Sequence, residues 1–347
     1  MTAVTRAFAI SFALLMTACA PRVIEPATPA VPQAPQLQLP PGYTASVFAF
    51  GLNGPTALAF GPDPDPITKQ GRRLYVAQLN GGENAGTGQV IVIDSAGAKP
   101  QVILDNLMKP TGLAWFNDAL YVVAHRDVLK FTVVNGKLGA PQVLTRDLPF
   151  NGRSLGHIKA GPSPDPLTGD SESRLYFSSS GGVAGASGFI YSMKLDGSDQ
   201  RIVASGLKNA YAFAWSLADG MMYSTEIGDA LVNPPPEEIN VIQRDADYGW
   251  PACSATQTCA GVDNPIATFP AHSTPTGIAW WEGSLIVALF GPADPHVARI
   301  ALDAQGNAAA PADFIRGMGN PIDVIITPQG TLLALDFAGL LWEITKL

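Results

Sequence analysis

An all-β fold, a six-bladed β-propeller of four-stranded antiparallel blades, is predicted by three features of this 347-residue chain. Charged residues make up only 14%, while Gly (35) and Pro (30) are plentiful, a composition suited to many short strands joined by tight turns. One strand–turn–strand pattern recurs at intervals of several tens of residues, the mark of a repeat architecture. The segment Tyr43 to Phe50 supplies a strand ahead of the first full unit, whereas the last unit lacks one, so the N-terminal strand is expected to close the ring.

The pattern is a β-rich segment, a Gly/Asn/Pro turn and an alternating apolar strand. It reads SVFAFGLNGPTALAF from Ser46 to Phe60 and VILDNLMKPTGLAW from Val102 to Trp115. It returns from Ile202 to Trp215, Ile266 to Trp280 and Phe314 to Ile326, with a weaker copy from Val143 to Ala160. A Leu-Tyr-Val-like triplet follows each turn, as at Leu74-Tyr75-Val76 and Leu120-Tyr121-Val122, and a third strand follows that. Four strands repeated six times describe propeller blades. A pair of β-sandwiches is the alternative, but sandwiches do not impose six copies of one pattern. Two units carry a matched insertion, Gly61 to Pro66 and Gly161 to Pro166, whose proline density predicts a hairpin loop and not a catalytic motif.

Residues 41–347 are assigned to the propeller, and an apolar content of 47% is enough to bury its core. Residues 1–18 read as an export signal: Arg6 is the only early charge, and the apolar run Ala7 to Met16 is too short to span a bilayer. Met16-Thr17-Ala18-Cys19 resembles a lipobox, which would make Cys19 the lipidated N-terminus of a membrane-anchored lipoprotein facing the periplasm or the cell exterior. An ordinary signal peptide cut after an Ala-x-Ala-like site is the alternative. Residues 19–40, dense in proline, read as an extended tether. Export would place Cys253 and Cys259 in an oxidising compartment, where a local disulfide is expected; two free thiols are the alternative. A net charge of -8, from 21 Lys+Arg against 29 Asp+Glu, argues against a nucleic-acid partner.

In a propeller, the turns leading into the innermost strands converge on the channel mouth, which makes them the place to seek a site. Ser205 to Tyr211 puts Lys208 and Asn209 at one such turn. Ser224 to Asp229 lies on the next connection, and Pro236-Glu237-Glu238-Ile239-Asn240 leads to Ala246-Asp247-Tyr248-Gly249-Trp250-Pro251. At these residues, and in the opening Pro40-Pro41-Gly42-Tyr43 and the His272-Ser273-Thr274-Pro275 turn, the chain resembles the soluble quinoprotein glucose/sorbosone dehydrogenases. The Glu-Ile-Asn and Tyr-Gly-Trp-Pro elements together carry the resemblance.

The resemblance implies pyrroloquinoline quinone (PQQ) and calcium as cofactors, and a sugar or another alcohol or aldehyde as substrate. Lys208, Asn209, His272 and Arg299 are carried over as cofactor-binding, and Gly228 and Asp229 as the calcium loop, oxygen ligands suiting that hard ion. Lys208 stands where the family has arginine, keeping the charge without the bidentate fork. The family's catalytic histidine aligns with Arg153, which cannot serve as a base. His157, four residues on, takes that role only if the loop is reshaped. Of the other histidines, His125 is expected at the surface or channel rim, His272 at the mouth and His296 in an exposed loop. Two readings follow: a PQQ- and calcium-dependent aldose dehydrogenase, and a non-catalytic propeller lipoprotein that binds a ligand or envelope partner.

Overall fold

The computed structural model describes residues 35–347 apart from 64, 66, 68–71, 83–85, 151, 153–154, 182–186, 217–219, 229–234, 254–260 and 263. The lipobox with Cys19 and residues 20–34 of the expected tether lie outside the described residues, as do Asp229 and Cys259; the end of that stretch is packed and not extended free, with Gln38 paired to Arg316 and Leu37 and Leu39 against an apolar cluster of the propeller.

Six small sheets form the ring. β1 (Tyr43–Phe50) precedes blade I, which comprises β2 (Pro55–Phe60), β3 (Leu74–Gln78), β4 (Gly88–Ile93) and β5 (Gln101–Leu107). Blade II comprises β6 (Pro110–Phe116), β7 (Ala119–Ala124), β8 (Asp127–Val134) and β10 (Gln142–Thr145), with the short β9 (Lys137–Leu138) folded back on β8. Blade III runs β11 (Lys159–Ala160), β12 (Leu175–Ser179), β13 (Gly188–Met193) and β14 (Arg201–Leu207). Blade IV runs β15 (Ala210–Trp215), β16 (Met222–Glu226), β17 (Glu237–Ile242) and β19 (Ala267–Phe269), while β18 (Ala246–Asp247) crosses back to pair in parallel with β14. Blade V is β20 (Pro275–Trp281), β21 (Ser284–Leu289), β22 (His296–Ala301) and β23 (Ala312–Ile315); blade VI is β24 (Pro321–Ile326), β25 (Leu332–Asp336) and β26 (Leu340–Lys346).

The expected closure is present: β1 pairs antiparallel with β26 from Tyr43↔Lys346 to Phe50↔Leu340 and completes blade VI. Blade III accounts for the weak sixth repeat, because its innermost strand is only two residues long.

The middle strands are buried throughout, LYVAQ in β3 and SLIVAL in β21 for example. Both faces of each blade pack on a neighbour, so these strands read as continuous apolar runs and not as half-buried alternations. Six apolar clusters result, each wedged between consecutive blades. Tyr75, Val90 and Leu120 join blades I and II; Tyr176, Val203 and Phe213 join III and IV; Leu58, Val76 and Leu333 join VI and I. Burying one such side chain contributes about 1.5–3 kcal/mol, and every cluster needs two blades to exist.

The two matched insertions prove to be one structural device. Asp165 is buried, accepts the Tyr176 hydroxyl at 2.7 Å and accepts the backbone N–H groups of Leu167 and Thr168. Asp65 likewise accepts the Tyr75 hydroxyl and the Ile67 N–H. Burial and the adjacent carboxylate push both tyrosine hydroxyls well above the ordinary range. His296 departs from its expected exposed loop: it opens β22, is buried, and its Nδ1 lies 2.8 Å from the Asp294 carbonyl oxygen, with Asp313 on its other side.

Tyr176→Phe should destabilise the fold by about 1–3 kcal/mol in urea denaturation, because it leaves the buried Asp165 carboxylate short of a donor. A loss below a few tenths would show that the paired insertion is spacer and not anchor.

Candidate functional site at the channel mouth

Each blade begins with a turn from the preceding outer strand into its own inner strand. In three of these turns, a polar residue ending the second strand accepts turn N–H groups that would otherwise be buried without a partner. Gln78 accepts from Asn53, Asp336 accepts from Gly319 and Asn320, and Glu226 accepts from Lys208 and Asn209. Glu226 therefore organises the turn that carries two of the sequence-predicted site residues, and is more than a polar loop residue.

The inner strands share a second device. Their pairing register breaks just inside the turn, between Pro55 and Ala57, Pro110 and Gly112, Ala210 and Phe213, Pro275 and Gly277, and Pro321 and Asp323. A bulge re-aims a side chain. The residues at these breaks, Thr56, Thr111, Tyr211, Thr276 and Ile322, all line one cavity of about 390 Å³ at the channel mouth. Close approach of the inner strands near the axis explains the glycines that follow: a Cβ on Gly112 would meet the backbone of His157, and one on Gly277 the backbone of Asp323. Asn209, Thr274 and Asn320 from the turns, Leu79, Ile227 and Pro292, and the edge-to-face pair Phe290 and Phe337 (ring centroids 5.6 Å apart) complete the wall.

The site residues predicted from sequence divide among several places. Asn209 lines the cavity and is buried, with its Oδ1 unpartnered. Lys208 stands on the same rim but extends away from the cavity: Nζ donates to the Gly181 carbonyl at 3.2 Å and sits 5.5 Å from the Trp250 ring centroid. The Tyr-Gly-Trp-Pro element thus buttresses this turn, with Trp250 N–H bonded to the Gly206 carbonyl and Tyr248 hydroxyl to the Val241 carbonyl. Gly228 shares the small cleft beside Lys208 and donates its N–H to Glu237 Oε2 at 2.6 Å; the other oxygen of Glu237 receives the His272 N–H at 3.0 Å. His272 itself is exposed, in a left-handed conformation (φ 67°), and does not line the cavity. Arg299 is not brought to the mouth. Its guanidinium binds Ser284, Tyr43 and the Glu282 carbonyl at the hairpin that opens on the opposite end of blade V. Cys253 is buried and disulfide-bonded.

His157 occupies the channel axis beneath the mouth. Its N–H donates to the Tyr211 carbonyl, its ring lies 5.6 Å from that of Tyr211, and Nδ1 is 3.7 Å from Asp323 Oδ1 on the opposite blade. Asp323 also accepts the Leu58 N–H from blade I. Both His157 and Asp323 are 1% exposed, and burial holds the imidazole below its usual pKa, only partly opposed by Asp323. A neutral histidine sealed in the axis ties three blades together; it is not placed on the cavity wall.

Sequence reading passes over Thr56, Thr111 and Thr276 as strand residues. Their signal is the recurring Pro-Thr directly after the turn, in Pro55-Thr56, Pro110-Thr111 and Pro275-Thr276.

PQQ is a planar tricarboxylate that needs cations. The described cavity lining contains no Lys, Arg or His, the Lys208 ammonium is turned outward, and Lys109, on the same rim, is not among the lining residues. Among the described residues no group of three or more His, Cys, Asp or Glu is placed to hold a metal ion. The described lining residues do not fit the quinone.

Fold and site together define a six-bladed β-propeller with a cavity at its channel mouth. Residues 175–338 match the family described as Glucose / Sorbosone dehydrogenase, bearing out the sequence resemblance over the stretch that carries Asn209, Tyr211, Thr276 and Ile322. No curated protein sequence matches the chain. Among solved structures, a Thermus thermophilus protein described as a glucose dehydrogenase superposes with a TM-score of 0.72 at 18% identity, over 88% of this chain and 100% of that one. The PQQ-bound aldose sugar dehydrogenase of Streptomyces coelicolor gives 0.66 at 20% identity, over 89% and 100%. The apo soluble aldose sugar dehydrogenase of Escherichia coli gives 0.62 at 16% identity, over 88% and 100%.

Burial, with Glu238 and Glu237 nearby, drives the Glu226 pKa well above the carboxylate range. A carboxyl raised in this way stabilises the fold fully below its unfolded pKa of about 4.3 and progressively less as pH climbs towards the folded value. Glutamine does not titrate. Glu226→Gln should therefore gain stability relative to the parent chain as pH rises above about 5 in parallel denaturation series. A difference that stays flat with pH would show that Glu226 is ionised without penalty.

Proposed function

We propose that this chain is a sugar dehydrogenase-like propeller of the cell envelope that takes a small sugar-class molecule into its channel mouth. The observation that carries this reading is the cavity formed by the bulged residues of five blades, in a chain whose family match and structural neighbours are sugar dehydrogenases. A pocket of this size, with apolar walls and a few convergent polar groups, has the form of a small-molecule site. The scaffold's part is to hold the ligand: the turns fix Asn209, the bulges fix the threonines, and the packed axis beneath shuts out bulk water.

PQQ- and calcium-dependent oxidation of an aldose is a second reading, favoured by the family match and by the shared rim position of Lys208, Asn209 and Gly228. Against it stand the uncharged cavity lining and the alignment of Arg153 with the family's catalytic histidine. Export and lipidation at Cys19 rest on the Met16-Thr17-Ala18-Cys19 pattern and the proline-rich stretch behind it.

Calorimetric titration of the purified protein with aldoses is expected to give saturable binding, while titration with PQQ and calcium, followed by quinone absorbance, is expected to show no uptake. Cofactor uptake with sugar-dependent dye reduction would establish the second reading instead, and absence of any aldose binding would remove the first. In a bacterial host, Cys19→Ser should move the protein from the membrane pellet to the soluble fraction; unchanged pelleting would refute lipid anchoring.

A further inference from the structure

Three polar atoms at the cavity lack any hydrogen-bond partner although their residues are sealed from solvent: Thr111 Oγ1, Thr276 Oγ1 and Asn209 Oδ1, on residues 2%, 3% and 4% exposed. Leaving a buried polar group unpaired costs roughly 1–3 kcal/mol, so such atoms are rare in a folded protein, and three around one cavity call for a cause. The neighbouring polar groups of the wall are already engaged. Thr56 Oγ1 binds the Pro110 carbonyl at 2.7 Å, Asn320 Nδ2 binds the Phe290 carbonyl, and Thr274 Oγ1 lies 3.3 Å from the His272 carbonyl. Buried atoms without partners occur elsewhere too, Glu226 Oε2 and His157 Nε2 among them, but on the described wall of this cavity they fall on three residues, of blades II, IV and V.

The placement of Thr111 and Thr276 is built in. Each follows a proline at a break in strand register, so the backbone is bent to deliver that side chain to the mouth. The residues before those prolines, Lys109 and Thr274, adopt left-handed conformations (φ 40° and 52°), which non-glycine residues hold at a cost. The edge-to-face Phe290–Phe337 pair, from blades V and VI, adds an apolar surface to the same wall.

Deepening the sugar-binding reading, on which it rests, we propose that Thr111, Thr276 and Asn209 hydrogen-bond directly to an uncharged, multiply hydroxylated ring seated against Phe290 and Phe337. The mouth then selects neutral sugars over sugar acids and over the tricarboxylate quinone. Hydroxyl groups both donate and accept, and so can satisfy threonine oxygens and an amide oxygen alike. A carboxylate, which only accepts, would enter a described lining that offers no cation, and would leave its charge uncompensated. Selectivity therefore arises from what the wall lacks as much as from what it presents.

The test compares D-glucose, methyl glucoside and gluconate by calorimetry on the full chain and on a Thr111→Val/Thr276→Val double variant, with thermal melts of both apo proteins. Valine keeps the shape and removes the hydroxyl. The parent chain is expected to bind the two neutral sugars and not gluconate, and the double variant to bind them roughly tenfold or more weakly, with an apo melting temperature equal to or above the parent's. Equal sugar affinity in the two proteins would overturn this assignment while leaving the sugar-binding reading intact. Gluconate binding as well as glucose would overturn the charge selectivity. A double variant that melts lower would show that the hydroxyls serve the fold through water. A parent chain that binds no neutral sugar would remove both proposals together.

Discussion

Everything in this molecule depends on blades covering one another's faces. No blade has a core of its own; each apolar cluster is shared across a boundary, so until the sixth boundary forms blades I and VI are each covered on one face only. That is why the β1–β26 pairing matters beyond its own hydrogen bonds. It completes the outer edge of blade VI, whose faces pack against blades V and I, and so joins the two ends of the chain in a closed ring. A ring also imposes crowding at its centre. Inner strands meet there at backbone distance, and the glycines and register breaks relieve that crowding.

The site is a by-product of that relief. A strand that bulges next to the axis presents one side chain to the opening, and five blades do so at the same position, with Tyr211 and Ile322 also serving the apolar packing between blades. Blade III is the exception. Its inner strand is reduced to Lys159–Ala160, and His157 fills the axis just before it. What the five bulges deliver to the opening is three hydroxyls, a tyrosine and an isoleucine, with the rings of Phe290 and Phe337 beside them.

Much of the architecture is legible in sequence because repetition exposes strand and turn together: the third strands, the closing strand and the paired insertions all fall where the repeat puts them. What resists reading is direction. Lys208 sits at the expected turn, but only the packing of Trp250 and the Gly181 carbonyl reveals that its ammonium points outward. Arg299 offers a cation in sequence, yet its guanidinium is claimed by Tyr43, which the chain's first strand brings from 256 residues away. Ala293-Asp294-Pro295-His296 has loop composition, and His296 is buried because Asp294 and Asp313 flank its ring. The threonines are hidden by their own regularity, since a residue repeated with a strand motif reads as part of the strand.

The buried His157–Asp323 link across the axis makes the chamber above it a cul-de-sac. Seen from the mouth, the ring is therefore floored at that level, and the opening is a bowl where an unfilled propeller would have a bore.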